Sequence, residues 1–252
     1  MQIKVLFFGV LKDITGKSID FIDVPDNSGV REIMVQYCNS FPPLAKFLPS
    51  IAISINRDYA SSDSVLHDGD EVALLPPVSG GTGDDQRVTF NGEFRCTLIH
   101  HAIDVQEFSE KIKRPSDGAI ATFEGIVRDN SRGRKTLYLE YEAYEAMALK
   151  QMGGLACEAV RQFSVRDVAM VHRLGRLKVG ETSVLIVVAS AHRKEGLEAC
   201  RWLIDTFKRT VPIWKKEYFE DGALWTDGET FPEELSLGSK HQIKASNPSP
   251  ED

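Results

Sequence analysis

The hydrophobic pattern divides the chain into two unlike halves. Gln2 to Phe8 is an apolar, β-rich run. Gly9 to Gly16 read as a turn, and Ser18 to Val24 then alternate, with Ile19, Phe21 and Ile22 set against Asp20 and Asp23. After the turn at Pro25–Gly29, Val30, Ile33, Met34 and Tyr37 recur at helical spacing, and Pro42-Pro43 stops that helix. Ile51–Ile55 and Glu71–Leu75 read as two further strands, the second entered through the turn Asp68-Gly69-Asp70. Two strands, a helix and two more strands describe a small β-grasp domain.

The next stretch, 79–96, is rich in Gly, Ser, Asp and Thr and reads as a boundary. Beyond it Asp104, with Glu107 three residues on, is expected to cap a helix carrying Val105, Phe108 and Ile112. Gly118–Val127 is a mostly apolar strand. Leu137–Tyr144 alternates, placing Leu137, Leu139, Tyr141 and Ala143 on one face. A long helix over 146–163, a strand over 168–174, a strongly β-branched strand over 182–190 and a helix marked by Leu197, Cys200, Ile204 and Phe207 follow. Pro212 ends that helix, and Ile213–Tyr218 returns as a strand. The expected domains are 1–81, a linker 82–96, a second domain 97–236 and a disordered tail 237–252.

Charge sharpens the division. Residues 1–82 hold ten acidic and six basic side chains, a net of −4; residues 97–225 hold eighteen and twenty, a net of +2. An acidic module can dock beside a mildly basic one, and the basic one can hold an anion. The basic residues form no concentrated stripe, which argues against nucleic acid. No apolar run is long enough to span a bilayer, and the N-terminus is too short in its apolar part for a signal peptide, so the cytoplasm is the expected location. Cys38, Cys96, Cys157 and Cys200 are far apart, and no Cys/His pair has zinc spacing.

Four places could carry chemistry. Gly80-Gly81 follows Leu74-Leu75-Pro76-Pro77 directly: it is either a linker or a side-chain-free tail able to thread a narrow channel. Ser190-Ala191-His192-Arg193 closes a strand and opens a helix, where an anion is favoured; the alternative is a surface His-Arg pair. Lys208 near a helix end and Lys215 on the strand past Pro212 could be folded toward one pocket as acid, base or oxyanion stabiliser, or belong to a solvated basic surface. Arg128 closes the strand Thr122-Phe123-Glu124-Gly125-Ile126-Val127, and His172-Arg173 is either an anion contact or a structural pair.

Together these stretches resemble molybdopterin synthase. Residues 1–81, ending Pro-Pro-Val-Ser-Gly-Gly, resemble its small sulfur-carrier subunit; residues from about 97 to 228 resemble its large catalytic subunit, through Thr122–Arg128, Val171–Gly175, Ser190–Arg193 and Lys208–Lys215. The resemblance implies an α+β chain, a ubiquitin-like β-grasp domain followed by an α/β-hammerhead-type large-subunit domain. It implies conversion of cyclic pyranopterin monophosphate into molybdopterin by sulfur carried as a glycine thiocarboxylate. By this likeness Lys208 and Lys215 are catalytic, Arg128, His192 and Arg193 bind the pterin phosphate, and Gly80-Gly81 is the carrier tail. It also implies a homodimer through the large domain, an adenylating and sulfurating partner for the tail, and no metal or other cofactor. The fusion departs from the family pattern. Gly81 is followed by Thr82, so its carbonyl is an amide with no carboxylate to activate. Cleavage after Gly81 would free it; the alternative is a non-catalytic carrier or scaffold with a blocked tail.

Overall fold

The computed structural model describes residues 1–77, 86–90, 93–131 and 133–226. Gly80, Gly81, Arg132 and the expected tail 237–252 lie outside the described residues. The first module is a mixed sheet built from β1 (Gln2–Phe7), β2 (Ile19–Asp23), β3 (Ala52–Ile55), β4 (Asp58–Ala60) and β5 (Glu71–Leu75), in the order β2-β1-β5-β3-β4. Central β1 and β5 run parallel, and the other pairings are antiparallel. Helix α2 (Val30–Ser40) buries Val30, Ile33, Met34 and Tyr37 against Ile3, Val5 and Phe7. This is the β-grasp arrangement that the pattern predicts.

The segment read as a turn, Gly9–Gly16, is instead a short helix, α1 (Gly9–Thr15), closed by Gly16 in the left-handed region. A helix of seven residues, bounded by glycines, is too short for helical periodicity to register. Gly9 also sits at φ +52°, and a Cβ there would crowd Pro76 at 3.3 Å, with the Trp214 ring in van der Waals contact at 3.5 Å.

The second module contains two sheets. One has the order β6-β7-β11-β13-β8, from β6 (Gln86–Phe90), β7 (Glu93–Ile99), β8 (Ala119–Ile126), β11 (Asp167–Arg173) and β13 (Thr182–Ser190). The other runs β12-β10-β14-β15, from β10 (Arg134–Ala143), β12 (Gly175–Lys178), β14 (Ile213–Phe219) and β15 (Gly222–Trp225), with β9 (Asn130–Ser131) paired to β10. Helices α4 (Glu145–Phe163) and α5 (Arg193–Thr210) pack on the first sheet around Met152, Met170, Ile186 and Leu203. Helix α3 (Val105–Ile112) covers its other face, and the Asp104 carboxylate accepts from the Glu107 amide at 2.9 Å, the expected cap.

Two expectations change. The stretch 82–96 is not linker throughout, because β6 and the start of β7 form sheet from Gln86 onward. The Asn91-Gly92 pair between them in sequence is a hairpin signal that the surrounding Gly, Ser and Asp obscure. Leu137 does not share the buried face of Leu139 and Ala143; it is exposed, because a register shift between Thr136 and Tyr138 interrupts the alternation.

The modules meet along β14. Phe8 stacks on Trp214 at 4.8 Å and on Tyr144 at 5.2 Å. Leu6, Ala52, Ala73 and Leu75 from the first module share a buried cluster with Tyr144, Met147 and Trp214 from the second. The Trp214 indole N–H donates to the Pro76 carbonyl at 2.8 Å, and the Tyr59 hydroxyl donates to the Thr210 carbonyl at 2.8 Å. Ion pairs cross in both senses: Lys12 with Glu142 at 2.7 Å, and Asp13 with Lys216 at 2.9 Å. Such partly exposed pairs are worth little, on the order of 0–1 kcal/mol, so the aromatic cluster holds the modules together. Trp214 is 1% exposed. Trp214→Ala is expected to cost about 3–5 kcal/mol by denaturant titration and to split one unfolding transition into two; a single transition at unchanged midpoint would contradict this.

Candidate functional site

Alternation along β14 sends neighbouring side chains to opposite faces. Trp214 and Lys216 face the first module. Ile213, Lys215 and Glu217 face a cleft of about 630 Å³ within the second. The opposite wall comes from the end of β8, Phe123 to Ile126, with Val127 just past it, and the rim from Arg128 and Asn130. Gly125 allows this wall to form: a Cβ there would stand 2.6 Å from Val184 on the paired strand β13. Phe207 and Lys208, in the last turn of α5, close a further side.

Lys208, Lys215 and Arg128 therefore share one cleft. Pro212 lets the chain reverse between α5 and β14, and that reversal brings the two lysines together. Lys208 and Arg128 are exposed at the mouth, while Lys215 is half-buried and donates to Glu217 at 2.7 Å. Glu217 is 6% exposed. Burial pushes its carboxyl up, but hydrogen bonds from Lys215, Ser131 and Thr226, with the Lys215 charge, outweigh burial and hold it below the usual carboxylate range. Sequence reading passed over Glu217. The available signal was its i, i+2 spacing from Lys215 on a strand, which puts both on one face.

His172 forms part of the cleft floor, stacked on Phe207 at 5.8 Å and edge-on to Tyr141 at 4.9 Å. Its Nδ1 lies 2.9 Å from the Arg173 carbonyl, so Nδ1 carries the proton and donates. Burial pushes its pKa down to about 4, only partly offset by that carbonyl. The ring is thus a neutral structural element rather than an anion contact.

His192 and Arg193 are not in this cleft. They cap and open α5 at its N-terminus, both exposed. Lys208 is fifteen residues further along the same helix, about 22 Å at 1.5 Å per residue. Among the described residues no group of three His, Cys, Asp or Glu side chains could hold a metal ion.

Fold and site thus define a two-module protein: a ubiquitin-like module docked against the outer wall of a cationic cleft whose inner wall carries a paired lysine. Comparison with known proteins narrows this. The MoaE protein family model matches residues 98–210, and the ThiS family model matches residues 5–81. A molybdopterin synthase catalytic subunit from Arabidopsis thaliana is 44% identical over 141 residues, covering 56% of this chain and 71% of that one. One from Oryza sativa subsp. japonica is 39% identical over 176 residues, covering 70% and 87%. The crystal structure of molybdopterin synthase from Staphylococcus aureus is 38% identical, with a TM-score of 0.50, over 51% of this chain and 94% of that one. The chain belongs to the molybdopterin synthase catalytic subunit family, with a ThiS-type ubiquitin-like module fused ahead of it, and is an enzyme of molybdenum cofactor biosynthesis.

The His172 environment has a measurable consequence. Its unfolded-state value is 6.5 and its folded value about 4. Between these the unfolded chain binds the proton and the folded chain does not, so stability is complete above the upper value and falls as pH drops toward the lower, by about 3 kcal/mol. His172→Phe, which keeps an aromatic ring against Phe207, is expected to remove that part of the acid-side decline. Parallel stability–pH curves for the two proteins would contradict it.

Proposed function

We propose that this protein transfers sulfur from a thiocarboxylate on Gly81 to cyclic pyranopterin monophosphate, forming the dithiolene of molybdopterin in the cleft between β8, α5 and β14. The observation that carries this is the convergence of Lys208 and Lys215 on one cleft whose outer wall docks the carrier module. In this reading 1–81 is the carrier, a connection follows, and the catalytic module extends to about residue 236.

The chemistry needs three things from the chain. An anionic pterin phosphate must be held, for which Arg128 at the rim offers a guanidinium suited to bidentate contact. The thiocarboxylate sulfur bonds to a pterin side-chain carbon and displaces an oxygen substituent; water then adds to the Gly81 acyl carbon, and the C–S bond breaks to leave a carboxylate on Gly81 and a thiol on the pterin. The negative charge on the acyl oxygen of that water adduct must be stabilised, the task of the ammonium groups of Lys208 and Lys215. The second of these must also be held in place. Glu217 does this by accepting its hydrogen bond, and Ser131 and Thr226 fix Glu217 in turn. A dithiolene contains two sulfurs, so the tail is loaded and discharged twice per product. Loading requires a free carboxylate at Gly81, hence cleavage of the Gly81–Thr82 bond followed by an adenylating and sulfurating partner. His192 and Arg193 contribute to phosphate binding from a second copy of the chain in a homodimer, since they lie at the far end of α5 from their own cleft.

Lys208→Ala and Lys215→Ala are each expected to leave the fold intact and abolish dithiolene formation. Glu217→Gln is expected to lower kcat roughly 10–100-fold, about 1.4–2.7 kcal/mol, with KM little changed. Unchanged turnover in any of the three removes that residue from the mechanism. Intact-mass measurement of protein from its own host is expected to find a piece ending at Gly81; a single full-length species in cells that make molybdopterin would contradict the cleavage step.

A further inference from the structure

The chain of β15 has two faces, as β14 does. Trp225 lies opposite Lys216, on the side of the first module. The residue that follows it, Thr226, lines the cleft. The Thr226 amide donates to the Lys215 carbonyl at 2.9 Å, and its side chain is one of those bonded to Glu217. The Trp225 indole N–H donates to the Asp13 carboxylate on α1 at 2.8 Å, and its ring packs against the buried cluster that contains Trp214. The same carboxylate oxygen accepts from Lys216 at 2.9 Å, and the Lys216 ammonium stands 4.9 Å from the centre of the Trp225 ring. Burial pushes the Asp13 carboxyl up, but the hydrogen bonds from Trp225 and Lys216, with the charges of Lys216 and Lys12, outweigh it and keep the group ionised. One side chain of the ubiquitin-like module therefore grips both strands of the β14–β15 hairpin, directly across the backbone from the Lys215–Glu217 pair.

Little else holds β15. It is the last strand in its sheet order, and among the described residues it pairs with β14 alone. Gly222, Ala223 and Leu224 are exposed, and Trp225 is its one half-buried residue. A short edge strand with so little burial belongs to the low-stability end of a fold and opens locally unless its end is tied down. Asp13 supplies that tie, and it comes from the other module.

We propose that Trp225 is a positioning residue: the seated ubiquitin-like module fixes the end of β15 through Asp13, and β15 fixes Lys215 and Glu217 through Thr226. The proposal rests on the reading of Lys215 as a catalytic group and adds what holds it in place. A cleft with no module seated on its outer wall has a loosened Lys215, so the organised lysine–carboxylate pair is confined to the docked state.

The test follows reagent access to Lys215 in the full, uncut chain. Amines are methylated with formaldehyde and a borane reductant, and the rate at Lys215 is read by peptide mass spectrometry against Lys208, which is exposed at the mouth of the same cleft. Two variants cut the tie from its two ends. Trp225→Phe keeps a ring beside Lys216 and removes the N–H donor; Asp13→Ala removes the acceptor. Exchange of the Trp214 indole N–H, bonded to the Pro76 carbonyl, reports by NMR whether the module stays seated. The proposal predicts that both variants raise the Lys215 rate relative to Lys208 by roughly 10-fold, the effect of losing one hydrogen bond to a charged group, with Trp214 exchange unchanged. An unaltered Lys215 rate in either variant overturns it. Trp214 exchange that speeds up in step with Lys215 also overturns it, because the cause is then general undocking. The readout does not depend on turnover. Faster labelling in a protein that transfers no sulfur would refute the functional reading and leave the coupling standing.

Discussion

The two-residue period of a single strand sets the design of this protein. On β14, Trp214 and Lys216 point outward to the ubiquitin-like module, and Ile213, Lys215 and Glu217 point inward to the cleft. Docking face and cleft face are therefore in fixed register, separated by one backbone thickness. A slip of one residue would exchange the faces, putting an indole in the cleft and an ammonium in the aromatic cluster. Three contacts guard against that slip: seven paired positions with β10, the hairpin to β15, and the Tyr144 amide bonded to the Pro212 carbonyl at 3.1 Å.

The two faces are stabilised by different physics. The outer face is held by apolar burial and ring stacking, with partly exposed ion pairs adding registry more than energy. The inner face holds a half-buried ammonium beside a buried carboxylate. Such a pair gives little net stability, but removing either partner leaves an uncompensated charge. Beneath them a neutral, buried His172 closes the floor. The opposing charges of the modules, −4 over residues 1–82 and +2 over 97–225, agree with docking in sign. The contacts themselves run both ways, since Lys12 of the acidic module pairs with Glu142 of the basic one.

Most of the elements were legible because their signals are local. The β-branched run Thr182–Ser190, the helical spacing through Phe207 and the Asp104–Glu107 cap act within a few residues, and each element stands where it was expected. The ubiquitin-like fold of the first module followed from strand and helix order. What sequence left open depends on contacts distant in the chain. Trp214 reads as one more apolar strand residue until Phe8 and Pro76, some two hundred and one hundred and forty positions away, are seen against it. Glu217 gains its role only once Ser131 and Thr226 close around it. The Ser190–Arg193 motif was visible, yet its separation from Lys208 along α5 is a fact of geometry. Helix α1 and the β6–β7 pairing were hidden by glycine-rich composition that reads as turn or linker.

The central claim is that the sulfur leaves Gly81 inside this cleft. It is tested most directly by single turnover. The cleaved two-piece protein, loaded as the Gly81 thiocarboxylate, is mixed with cyclic pyranopterin monophosphate, and the carrier piece and the pterin are weighed by mass spectrometry over time. The account predicts that the carrier reverts from thiocarboxylate to carboxylate at the same rate as one sulfur appears on the pterin. A carrier that keeps its sulfur while pterin is bound, or loses it at the same rate without pterin, would contradict the account.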